Sequence, residues 1–125
     1  MNKVRTLIVD DTLFVRMMLK QILVKSEFDV VGEAGDGAEA VAKYEALRPD
    51  LVLMDIIMPS MSGLDAVRTI MIRYPAARIV MCSALGQESV IAEAVSAGAR
   101  DYITKPFVPD QVLRALRNTV GATVP

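Results

Sequence analysis

The sequence contains no histidine. This absence excludes a histidine nucleophile, a phosphohistidine carrier and any histidine metal ligand. The only cysteine, Cys82, lies within the apolar segment 79–82, where we interpret it as a small buried hydrophobe rather than a reactive thiol. Such cysteine usage fits a reducing compartment. Any chemistry must therefore depend on carboxylate, hydroxyl and ammonium groups.

An excess of charge of one sign is also missing. Lysine and arginine total 14 against 15 acidic residues, and the formal net charge is -1. The electrostatic footprint of a nucleic-acid binder is therefore absent, and we expect neither nucleic acid nor a membrane as a direct partner. No segment approaches the roughly 20 apolar residues of a membrane span, and the first residues are too polar for a signal peptide. These absences predict a cytoplasmic protein.

Short apolar segments alternate with segments of helical period, and 125 residues is a common size for one domain. The apolar segments 4–9, 30–34, 51–55, 79–82 and 101–104 predict five strands. Apolar residues that recur every three or four positions predict five helices. These residues are Phe14, Met17 or Met18, and Ile22; Val41, Tyr44 and Leu47; Leu64, Val67, Ile70 or Met71, and Tyr74; Ile91, Ala94 and Val95; and Val112 or Leu113, Leu116 and Val120. The order predicts an α/β domain with a doubly wound parallel sheet, in which strands this apolar are buried on both faces.

Polar residues stand where four of these strands end. The strand ends carry Asp10 with Asp11, then Asp55, Ser83 and Lys105. Because ligands bind at the carboxyl ends of the strands in such sheets, we expect these side chains to converge on one site. Three carboxylates would repel one another unless they share a cation, and a purely oxygen donor set favours Mg²⁺. With an ammonium and a hydroxyl nearby, the set suits phosphoryl transfer to a carboxylate nucleophile.

These motifs resemble the receiver domain of two-component response regulators. Segments 82–87 and 98–102 are most similar to stand-alone chemotaxis regulators of the CheY type. The resemblance implies one receiver domain over residues 1–120 with a short tail at 121–125, and the flavodoxin-like strand order 2-1-3-4-5. It also implies a phosphorylation-activated signalling switch rather than an enzyme, which assists only its own phosphorylation and dephosphorylation. The matching motifs are Val9-Asp10-Asp11, Asp55-Ile56-Ile57-Met58-Pro59 followed by Gly63, Ser83-Ala84, and Lys105-Pro106-Phe107.

The resemblance assigns a phosphoacceptor and a metal site. Asp55 accepts the phosphoryl group from a phosphohistidine of a partner histidine kinase. Asp10 and Asp11 hold Mg²⁺, with Asp11 and Asp55 as the direct ligands and the backbone carbonyl of Ile57 completing the set. Phosphoryl transfer and Mg²⁺ binding are therefore expected at the same strand ends.

The resemblance also implies how the signal leaves the site. Lys105 pairs with the phosphoryl oxygens, Ser83 moves toward them, and Tyr102 follows inward, which shifts the protein between two conformations. The partner surface comprises the fourth helix, the fifth strand and the fifth helix. For a chemotaxis regulator, the expected partner is the flagellar motor switch protein, which binds the phosphorylated form preferentially. The expected surface residues are Ile91, Val95, Tyr102 and Thr104.

Two positions depart from the polar residues that many relatives carry there. Ile57 and Leu85 are apolar, and we hypothesise that they obstruct the attacking water and make self-dephosphorylation slow. An auxiliary phosphatase is then the expected route for resetting the switch.

Other functions remain open at this point. The chain is alternatively a receiver cut from a longer regulator, or a single-domain phosphorelay intermediate. A phosphatase of the haloacid-dehalogenase type also uses an aspartyl nucleophile, but it requires a second acid where Ile57 stands. A flavodoxin needs a hydroxyl- and glycine-rich phosphate loop where Asp10 and Asp11 stand, and two carboxylates would repel that phosphate.

Overall fold

A computed structural model describes residues 3–121, and strands and helices alternate along them. The strands are β1 (Val4–Val9), β2 (Phe28–Ala34), β3 (Leu51–Asp55), β4 (Ile79–Ser83) and β5 (Asp101–Thr104). The helices are α1 (Leu13–Leu23), α2 (Gly37–Leu47), α3 (Gly63–Arg73), α4 (Glu88–Ala97) and α5 (Pro109–Gly121). The predicted alternation is confirmed, although β2 begins two residues earlier than expected. Gly121 ends α5, and the rest of the predicted tail lies outside the described residues.

The five strands form one parallel sheet in the order β2-β1-β3-β4-β5, which confirms the predicted order. The chain runs outward from β1 to β2, then crosses back to β3 and continues outward through β4 and β5. The winding direction therefore changes between β1 and β3, and a crevice opens at the carboxyl ends of such a strand pair. No helix within residues 3–121 is long and apolar enough to cross a membrane.

Alternate residues of the strands supply two separate cores. On one face, Leu7 and Met54 pack in a cluster with residues of α2, α3 and α4. On the other face, Ile8 and Leu53 pack with residues of α1 and α5, and Cys82 is buried among them. Every residue of β3 and β4 is buried. The middle of the sheet is therefore a rigid platform for side chains at its carboxyl edge.

One expectation about burial is wrong. The edge strands β2 and β5 are only partly buried, because each has a neighbour on one side alone. In α1, Phe14 and Met17 are exposed, whereas Leu19 and Leu23 face the core. Apolar residues lie almost all around α1, so the helical period alone did not select its buried face.

Candidate functional site

Three carboxylates meet at the crevice between β1 and β3. Asp10 directly follows β1, Asp55 is the last residue of β3, and both are buried, with 1% and 6% of their surfaces exposed. Asp11 is exposed. One carboxylate oxygen from each residue lies within 4.8 Å of the others. The convergence that the sequence predicts for these three residues is present.

Backbone groups orient the two buried carboxylates. The Thr12 N–H donates to Asp10 Oδ1 at 2.9 Å, and the Ile56 N–H donates to Asp55 Oδ1 at 3.0 Å. Thr12 is also the N-cap residue of α1, but its side chain makes no capping hydrogen bond. Each buried carboxylate thus has one oxygen fixed by the chain that follows it.

Lys105 lies between the two buried carboxylates. Its Nζ is 3.3 Å from Asp10 Oδ2 and 3.3 Å from Asp55 Oδ1. The Lys105 backbone N–H donates to the Ser83 carbonyl at 2.8 Å, which ties the end of β5 to the end of β4. Burial opposes the charged ammonium, but the carboxylates of Asp55 and Asp10 outweigh it and raise the pKa of Lys105. The ammonium is therefore a permanent counter-charge in the site.

The electrostatics of Asp55 disfavour its ionised form. Burial, followed by the negative charge of Asp10, raises the pKa of Asp55 to about 6, although Lys105 opposes this shift. A cation beside these carboxylates would favour the ionised form.

The donor set fits a hard divalent cation. Asp10, Asp11 and Asp55 offer only carboxylate oxygens, and Lys105 balances one of their three charges. Mg²⁺ prefers oxygen ligands and retains several waters, which the exposed position of Asp11 leaves room for. These three residues would hold Mg²⁺ at the mouth of the crevice.

The remaining predicted site residues lie in or directly after β3, β4 and β5. Ser83 ends β4 and is buried. Its hydroxyl donates a weak hydrogen bond to the Ile103 carbonyl at 3.5 Å. Ile57 and Leu85 lie just beyond β3 and β4 and are 61% and 95% exposed. Tyr102 is exposed on the edge strand β5. The roles proposed for Ser83 and Tyr102 stay predictions.

Gly63 fixes the loop that follows Asp55, a role that the sequence motif did not reveal. Its N–H donates to the Ile56 carbonyl at 2.7 Å. A Cβ at this position would lie 1.9 Å from the Asp55 carbonyl oxygen, so the start of α3 contacts the end of β3 with no room for a side chain. The loop 56–62 is therefore anchored at both ends beside the carboxylates.

The comparisons with known proteins agree in the family that they indicate. A family model described as the response regulator receiver domain matches residues 6–117. The chemotaxis protein CheY of Thermotoga maritima is 54% identical over 112 residues, which cover 90% of this chain and 93% of that protein. The chemotaxis protein CheY of Bacillus subtilis is 54% identical over 117 residues, which cover 94% and 98%.

A similar fold is present in a crystal structure described as the complex of CheX, CheY, BeF3 and Mg²⁺ from Borrelia burgdorferi. The TM-score is 0.90 at 35% sequence identity, and the match covers 99% of this chain and 92% of that chain.

Proposed function

This chain belongs to the family of response regulator receiver domains, and on that premise we propose that it is a signalling switch phosphorylated on Asp55 by a histidine kinase. It is a receiver domain of a two-component system that is similar to CheY chemotaxis regulators. One observation carries the proposal. The carboxylates of Asp10, Asp11 and Asp55 converge within 4.8 Å, and Lys105 bridges the buried pair.

The proposed reaction transfers a phosphoryl group to a carboxylate. Asp55 Oδ1 already accepts from Ile56 and Lys105, which leaves Oδ2 to attack phosphorus. A P–O bond forms to Asp55 while the P–N bond to the kinase histidine breaks, and the nitrogen keeps the electron pair.

The surrounding groups stabilise charge during this transfer. Lys105, which lies 3.3 Å from the attacking carboxylate, compensates charge on the phosphoryl oxygens, and the Ser83 hydroxyl donates a further hydrogen bond. Asp10, Asp11, Asp55 and the Ile57 carbonyl would hold Mg²⁺, which would supply further positive charge there. The similar complex from Borrelia burgdorferi includes BeF3 and Mg²⁺ together with CheY, which supports this assignment.

The test of this function is the intact mass of the protein after incubation with a small acyl-phosphate donor. We expect wild type to gain one phosphoryl group with Mg²⁺ and none with a chelator, and Asp55→Asn to gain none. Asp29→Asn is the matched control, because Asp29 is exposed on β2, and it should gain the group like wild type. A gain in Asp55→Asn would refute the assignment, as would no gain in wild type with either the donor or a phosphorylated chemotaxis kinase.

The proposed output is a change in protein binding. Val95, Tyr102 and Thr104 are exposed and Ile91 is half-buried, so α4 and β5 offer side chains to a partner. We assign this surface to the flagellar motor switch protein, bound preferentially after phosphorylation. The complex of CheX with a similar CheY supports an interaction with other chemotaxis proteins.

Dephosphorylation provides a separate test at the mouth of the site. Ile57 follows β3 and Leu85 follows β4, and both side chains are exposed and apolar. Neither side chain can form a hydrogen bond that would orient an attacking water. We therefore expect Ile57→Asn to lose its phosphoryl group several-fold faster than wild type, followed by intact mass over time. Ile72→Asn is the control, because it makes the same exchange at an exposed position on α3. Equal decay of Ile57→Asn and wild type would refute the blocking role. Slow loss of the phosphoryl group from wild type would support an auxiliary phosphatase as a partner.

The cytoplasmic location of the protein stays a prediction.

A further inference from the structure

Arg16, on α1, joins the turn formed by Asp10 and Asp11, here called the acidic turn, to β2. Its side chain is 18% exposed, and its Nε lies 3.0 Å from Glu33 Oε1. Its Nη1 donates to the backbone carbonyl of Asp10 at 2.6 Å. The other oxygen of Glu33 lies 2.9 Å from the ammonium of Lys20. One guanidinium therefore contacts the chain between two of the carboxylates.

The carbonyl that Arg16 contacts belongs to the peptide that joins Asp10 to Asp11. Its orientation sets the direction in which the chain leaves β1, and hence where the Asp11 carboxylate lies. The Asp10 N–H donates to the Ala34 carbonyl at 3.0 Å, and the Thr12 N–H donates to the Asp10 side chain at 2.9 Å. Arg16 adds a contact to the carbonyl between these two anchored groups.

Glu33 keeps this guanidinium in place. In the register of β1 with β2, Glu33 is the partner of Ile8, two residues before Asp10. Hydrogen bonds from Lys20 and Arg16 hold the pKa of Glu33 below its usual value, although burial opposes them, so Glu33 stays ionised at neutral pH. Arg16 is thereby paired outside the crevice rather than with the carboxylates that a cation would use.

We infer that Arg16, held by Glu33, is a positioning residue for the cation site, because it sets the turn that brings Asp11 to Asp55. This inference rests on the proposed function. It also predicts a change in cation affinity that is opposite to the change expected from charge alone. Arg16 and a bound cation repel each other, so removal of the Arg16 charge should on Coulomb grounds alone strengthen cation binding. Loss of positioning should instead weaken cation binding.

The experiment uses Mn²⁺ as the probe, with the free ion measured by electron paramagnetic resonance. We expect Arg16→Gln to bind Mn²⁺ about tenfold more weakly than wild type, as loss of an outer-shell partner does in other metal sites. Arg16→Lys should be weakened as well, because lysine keeps the charge but lacks the fork that reaches Glu33 and the Asp10 carbonyl together. Glu33→Gln should weaken binding by releasing the guanidinium toward the carboxylates.

Lys20→Gln is the matched control, since it removes one positive charge from the same glutamate, and its ammonium bonds Glu33 rather than the Asp10 carbonyl. It should bind Mn²⁺ as tightly as wild type or more tightly. Urea unfolding without metal would show that each variant is folded under the binding conditions, so that affinity is compared among folded proteins.

The outcomes separate this inference from the proposed function. If wild type binds no Mn²⁺, the cation site itself is wrong. If wild type binds and Arg16→Gln binds equally or more tightly, only the positioning role is wrong. Equal weakening in Lys20→Gln would also overturn it, because the effect would then belong to the charge network as a whole.

Discussion

Replacement of Asp55 with asparagine is expected to stabilise the metal-free protein at pH 7. Burial and the neighbouring Asp10 raise the pKa of Asp55 from 3.8 to about 6, so an ionised carboxylate destabilises the folded state at neutral pH. At 1.36 kcal/mol per pKa unit, the cost is at most about 3 kcal/mol. Lys105 loses one of its two carboxylate partners in the variant, which offsets part of the gain. We expect the free energy of unfolding to rise by about 1 to 3 kcal/mol.

The raised pKa of Asp55 also predicts how the stability gain of Asp55→Asn depends on pH. Because the folded pKa lies above the unfolded value, protonated Asp55 favours the fold below pH 3.8, and this contribution is lost as the pH rises to about 6. Asparagine does not titrate, so its advantage should be small at pH 4 and full at pH 7. Urea unfolding with a chelator at both values measures the difference, and Asp29→Asn is the exposed control. An equal advantage at the two pH values would contradict the electrostatic explanation.

Replacement of Gly63 with alanine is expected to destabilise the fold by about 3 kcal/mol or more. The new Cβ would lie 1.9 Å from the Asp55 carbonyl oxygen and 2.9 Å from its carbon. These are backbone atoms of a central strand, so relief requires α3 or the sheet to shift. Urea unfolding measures the loss, and variant protein that remains folded should bind Mn²⁺ more weakly, because the loop after Asp55 is displaced.

Gly35→Ala is the control for this substitution. A Cβ at Gly35 would meet its nearest neighbours, Glu39 Oε1 and Arg16 Nη1, at 3.7 and 3.9 Å, which are ordinary contact distances. We expect its unfolding free energy to change by less than about 1 kcal/mol. Similar losses for the two variants would contradict the close approach of α3 to β3.

The alternation of strands and helices and the acidic cluster could be predicted because both follow from local patterns, whereas the strand order came from the family resemblance. Continuous apolar segments such as 51–54 distinguish buried parallel strands from periodic helices, and the carboxyl ends of such strands share one edge. Asp10, Asp11, Asp55 and Lys105 could therefore be grouped without knowledge of any contact. The buried face of α1 could not be predicted, since Phe14, Met17 and Leu19 are equally apolar and only packing against α5 and the sheet distinguishes them.

The link between Arg16 and Glu33 depends on a detail that periodicity does not encode. The pairing of β1 with β2 shifts between Thr6 and Leu7, so that Val30 and Gly32 are successive partners and one residue is skipped. Without this shift Glu33 would lie opposite Val9, and its side chain would face the other side of the sheet. A single irregularity in an edge strand thus decides which residues surround the acidic turn.

Lys105 is far along the chain from the two carboxylates that it contacts, and this separation affects when the site can form. It lies 95 residues after Asp10 and 50 after Asp55 in the sequence. During synthesis, a chain that has not yet reached the fifth strand contains Asp10 and Asp55 but not the ammonium that compensates their charge. The charge-balanced acidic site can therefore form only after the last strand of the sheet has been synthesised.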